Sequence, residues 1–80
     1  MNLEEVLRRM RDAGWMVAVH NDYRERVQDM GAMRIAQMTF WLFTRESGGV
    51  IYAVKGEDSR DLDAVLNCYM QAQRLDAALK

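Results

Sequence analysis

Apolar residues near the start of the chain recur with a helical period. Leu3, Val6, Leu7 and Met10 fall at i, i+3, i+4 and i+7, one stripe along a helix expected over residues 2–13. Asn2 is its N-cap candidate, with Glu5 three positions on, close to a capping box. Glu4 and Glu5 suit the positive end of the helix; Arg8, Arg9 and Arg11 suit the negative end. Gly14 stands where a C′ glycine belongs. The period then shortens to two. "WMVAVH", residues 15–20, is β-rich, with Trp15, Val17 and Val19 on one face and Met16, Ala18 and His20 on the other. The polar pair Asn21-Asp22 is expected to interrupt it with a turn or bulge.

A second strand carries "TFWLF", residues 39–43, where Phe40 and Leu42 face one way and Trp41 and Phe43 the other. "ESGG" follows as a turn, because Gly48-Gly49 reaches positive φ cheaply. "VIYAVK", residues 50–55, is a third strand, antiparallel to the second because the turn is short. A last helix is expected over about residues 59–78, capped by Asp58 or Ser59. Its apolar side is Leu62, Val65, Leu66, Tyr69, Ala72, Leu75 and Leu79. Residues 22–37, "DYRERVQDMGAMRIAQ", are ambiguous. As a helix they lose register after Met30 and place Gly31 inside it, at a cost of about 1 kcal/mol. As a hairpin they turn at residues 29–32 and return through Met33 and Ile35, with Arg34 and Gln37 polar between. The hairpin is the expectation.

The fold class is therefore α+β: one domain over residues 1–80, order α-β-β-β-α, a three-stranded antiparallel sheet with two helices on one face. Large apolar groups on both faces of "TFWLF" exceed what two helices shield. A helical 22–37 segment, a second copy or another protein is needed against the second face. With 80 residues the chain buries only ~60–65% of its unfolded surface, so stability is marginal.

Composition narrows the function classes. The single cysteine, Cys68, excludes an intrachain disulfide. No run approaches the ~20 apolar residues of a membrane span. "MNLEEVLRRM" lacks the basic start and apolar core of a signal peptide, so a cytoplasmic location is expected. The net charge of −1 lacks the basic excess of a nucleic-acid binder. Several of the seven methionines fall on buried-face registers, which favours core filling over an adaptable surface.

Candidate chemistry is sparse. His20 and Asp22 share a strand face, a pair that orients a base or begins a metal site, yet no second His exists. Cys68 lies in register with Val65 and Ala72 and reads as helix packing. The acids Glu57, Asp58, Asp61 and Asp63 are explained by capping and the helix dipole. No metal, cofactor or catalytic set is expected. The element order is that of double-stranded RNA-binding domains, but "GEDSRDLD" puts acids where those place lysines for phosphate, which disfavours nucleic acid.

The motifs "GWMVAVHNDYR", "TFWLFT" and "VKGED" resemble those of short uncharacterised proteins from bacteriophages and prophage-like regions. The likeness covers most of residues 14–60; residues 25–38 are longer here than the pattern requires. It implies a phage accessory protein and transfers no activity. Phage inhibitors of host defence, including anti-CRISPR proteins, are similar in size and class. The expected function is thus a non-enzymatic protein-binding module that blocks a host protein or complex sterically. Tyr23, Arg24, Arg26, Arg34 and Trp41 are expected to form the docking surface, since Arg and aromatic residues are enriched at interface centres. A homodimer through the same sheet face is expected, and a nucleic-acid-binding regulator using the hairpin arginines is the alternative.

Overall fold

The computed structural model describes residues 1–79. Five elements follow in the expected order: α1 (Leu3–Asp12), β1 (Met16–Asp29), β2 (Ala32–Ser47), β3 (Val50–Asp58) and α2 (Asp61–Ala78). The sheet is antiparallel in the order β1-β2-β3, and the buried core joins both helices to one of its faces.

Helix α1 begins as its sequence dictates, with Asn2 Oδ1 accepting the Glu5 backbone N–H at 2.9 Å. It ends in a Schellman motif. Gly14 N–H donates to Arg11 O and Trp15 N–H to Met10 O, both at 2.9 Å, with Gly14 at φ 92°. Trp15 is thereby delivered into the core, where it is buried with Val6, Met10, Phe43, Val54 and Val65.

Both β-turns are two-residue loops. Met30-Gly31 (φ 50° and 81°) and Gly48-Gly49 (φ 59° and 79°) have positive φ at both central positions, as a type I′ turn requires. Its backbone twist matches that of the strands, so residues 22–37 form a hairpin and not a helix. Asn21-Asp22 does not interrupt β1. The irregularity sits earlier, between Val17 and Val19. Bulging at Ala18 reverses the side-chain parity, so Val17 and His20 share the helix-covered face and Val19 lies opposite.

Strand β3 runs on to Asp58, beyond the expected end at Lys55. Gly56 makes this possible beneath a helix: a Cβ there would lie 2.2 Å from the Ala64 carbonyl oxygen and 3.1 Å from Cys68 Sγ. Small residues Ala64, Cys68 and Ala72 bring α2 down onto the strand. Neither Asp58 nor Ser59 caps α2; Arg60 holds the N-cap position without a side-chain bond. Asp58 Oδ1 instead accepts from the adjacent Ser59 N–H at 2.7 Å. Arg45 fastens the other end. Its guanidinium pairs with Asp76, donates to Ala13 O at 3.3 Å and lies over the Trp15 ring.

Candidate functional site

Strand β3 pairs with β2 only from Thr39 onward. Seven further β1–β2 pairs, from Tyr23–Met38 to Asp29–Ala32, have no third strand. They form a two-stranded arm. It accounts for a 48 Å long axis and a radius of gyration of 14.6 Å, against about 12 Å for a spherical domain of this length. The arm exposes Met30 fully, Met33 at 63% and Ile35 at 66%.

Cross-strand partners point to the same side, and His20 opposite the buried Trp41 fixes which side faces the helices. That side of the arm carries Arg24, Arg26 and Gln28 opposite Gln37, Ile35 and Met33, a basic and apolar strip without an acid. The reverse side carries Tyr23, Glu25, Val27 and Asp29 opposite Met38, Ala36, Arg34 and Ala32. Of the five residues expected to form a docking surface, Arg24 and Arg26 thus share a face. Tyr23 and Arg34 lie on the other. Arg34 Nε is 3.7 Å from Asp29. The Tyr23 hydroxyl donates to Glu57, which ties the base of the arm to β3 and pushes the phenol up to about 12. Trp41 is a correction. It is 7% exposed, because even a strand of mixed faces buries its largest side chain beneath the helices. The reverse sheet face, with Val19, Phe40, Leu42 and Ile51, has no covering element among the described residues.

At the arm's base, two elements bring three chemically distinctive side chains together. His20 and Asp22 project from β1, and Asp61 from the first turn of α2. His20 Nε2 lies 3.2 Å from Asp61 Oδ1 and 3.6 Å from Asp22 Oδ1. Asp61 Oδ1 also accepts from Trp41 Nε1 at 2.9 Å and Thr39 Oγ1 at 2.8 Å, and these donors hold its carboxyl below the usual range. The His20 ring stacks on Trp41, centroids 3.8 Å apart and 17° from parallel. Sequence spacing reveals the His20–Asp22 pair. Asp61 is legible in the sequence only as a helix-dipole acid, since its approach to β1 depends on how α2 lies on the sheet.

A groove of about 940 Å³ runs between α1 and β1, lined among others by Leu7, Arg8, Arg11, Val17, His20 and Trp41. Cys68 does not reach it. The thiol is fully buried, donates to Trp41 O at 3.6 Å, and is pushed up to about 11 by burial. No helix among the described residues is long and apolar enough to cross a membrane. No family model matches the chain, and searches of curated proteins and of solved structures find no match either.

Proposed function

We propose that this chain is a non-enzymatic binding module that engages a protein partner through its arm, on the basic and apolar strip of Arg24, Arg26, Met33 and Ile35 with Met30 at the tip. The observation that carries this reading is the unsupported arm itself. A two-stranded ribbon is at best marginal in water, and Met33 and Ile35 on its β2 strand, with Met30 at the turn, stay exposed and gain little from the fold. Met30 sharpens the point. A non-glycine residue at φ 50° costs about 1 kcal/mol, and a fully exposed side chain recovers none of it. Stability alone would favour Asn there; a docking tip favours Met, which adapts to irregular surfaces. The matching partner surface is an acidic rim around an apolar cleft.

The phage-like motifs support a role in the cytoplasm of a host cell, where an arm seated in a cleft would block a host complex sterically. A second copy of the chain against the uncovered face of Phe40 and Leu42 is part of the proposal. Nucleic acid is the weaker reading, because the net charge of −1 gives the chain no basic excess.

The decisive variant replaces residues 25–36 by an Asn-Gly turn, leaving the three-stranded core. The expected result is a folded protein that no longer captures the partner taken from host lysate by the intact chain. Arg24→Glu combined with Ile35→Asp is expected to do the same without shortening the arm. Capture undiminished by both would refute the proposal. Binding to DNA or RNA that falls steeply with salt would replace it by the nucleic-acid reading.

A further inference from the structure

The geometry points to a Zn²⁺ site at the base of the arm, ligated by His20, Asp22 and Asp61. The three ligand atoms all lie within 4.8 Å of one another, with Nε2 of His20 at 3.2 and 3.6 Å from the two carboxylate oxygens. Four-coordinate zinc with bonds of about 2.0–2.1 Å spaces its donors about 3.3 Å apart along each tetrahedral edge. The two His–Asp separations bracket that value. Hydrogen bonds already serve part of the set: Asp61 Oδ1 accepts from Trp41 and Thr39, and Asp22 is exposed to water. A cation held by the imidazole and both carboxylates adds to these bonds by neutralising two acids brought to one histidine from two different elements.

The surroundings hold the ligands as a metal site requires. Thr39 and Trp41 donate to Asp61 from buried positions, 4% and 7% exposed, so the packed core sets the carboxylate's orientation. The flat face of Trp41 fixes the His20 ring. An imidazole with two carboxylates selects zinc over magnesium or calcium, which prefer oxygen alone. Bound there, the ion ties the edge strand to α2 where the arm leaves the sheet, and its fourth position takes water or a partner's side chain. The site stands independently of the arm's partner.

The test is titration of the intact chain with Zn²⁺ by calorimetry, and with Co²⁺ followed in the visible spectrum and by tryptophan emission. The expected result is one equivalent bound, the intense visible band of four-coordinate Co²⁺, and quenching of Trp41. His20→Gln and Asp22→Asn each weaken binding by more than about tenfold, and Thr39→Val by about 10–100-fold. Asp22 is exposed on an edge strand, so Asp22→Asn is expected to leave the circular dichroism and melting of the metal-free chain unchanged. The site is overturned if no single equivalent binds. It is overturned equally if His20→Gln and Asp22→Asn bind as the parent does, which marks adventitious ions only, or if Mg²⁺ competes at equal concentration.

Discussion

Gly56 shows how much one hydrogen atom in place of a methyl group decides. The Ala64 carbonyl lies where its Cβ would be, and backbone cannot swing aside as a side chain does. Gly56→Ala is expected to destabilise the protein by about 1–3 kcal/mol, lowering Tm by roughly 4–8 °C per kcal/mol. A thermal melt within 2 °C of the parent, as a rough threshold, would show that α2 rides higher on β3 than described. Cys68, packed against the same glycine, gives a reactivity test. With its thiol pushed up to about 11, it stays protonated at pH 8, and a thiol reagent is expected to label it only after unfolding. Rapid labelling of the native protein would contradict the burial. Both Cys68 and Tyr23 have folded-state values raised above their ordinary ones. Their contribution is therefore complete below about pH 8.5, the unfolded thiol value. It declines as pH rises through the values of about 11 and about 12. Denaturant midpoints between pH 8 and 11 should fall with pH, and Cys68→Ala should flatten the early part of that fall.

Among the elements, the arm obeys different physics from the rest. Over Thr39–Thr44, β2 is flanked by two strands and pressed by helices; over Ala32–Met38 it has one neighbour and water. Hydrogen exchange is therefore expected to be fast along Tyr23–Met38 and slow along Thr39–Thr44. Met30→Asn separates stability from function. Asn tolerates the left-handed conformation that Met30 adopts at φ 50°. The substitution is expected to stabilise the arm by about 0.5–1 kcal/mol while weakening partner capture. Undiminished capture by the Met30→Asn protein would remove Met30 from the docking tip.

Taken whole, the molecule has a one-sided core. Both helices lie over Trp41 and Phe43, while Phe40, Leu42 and Val19 face away. Trp41→Glu would place a charge in the core beside Asp61 and is expected to unfold the chain, so it cannot report on association. Phe40→Lys with Leu42→Glu probes the correct face. If a second copy covers that face, sedimentation of the parent at micromolar concentration shows a dimer and the double variant a folded monomer. A monomeric parent would leave the face to a different protein.

Local chemistry written along the chain determined the elements. Asn2 and Gly14 bound α1, paired glycines close the second hairpin, and period-two patterning yields the strands, because caps, turns and periodicity act over a few neighbouring residues. The α-β-β-β-α order and the packing role of Cys68 follow from the same signals. Tertiary structure alone decided which face of "TFWLF" is covered, because alternation defines two faces without choosing between them. The bulge at Ala18 then reversed the side of His20, and α2 brought Asp61 to it from the opposite edge of the sheet. The sequence offers a hairpin returning through Met33 and Ile35, but that no third strand lies beside it is decided by where β3 pairs, from Thr39 onward. Contacts made across long separations choose among alternatives that local patterning leaves equal.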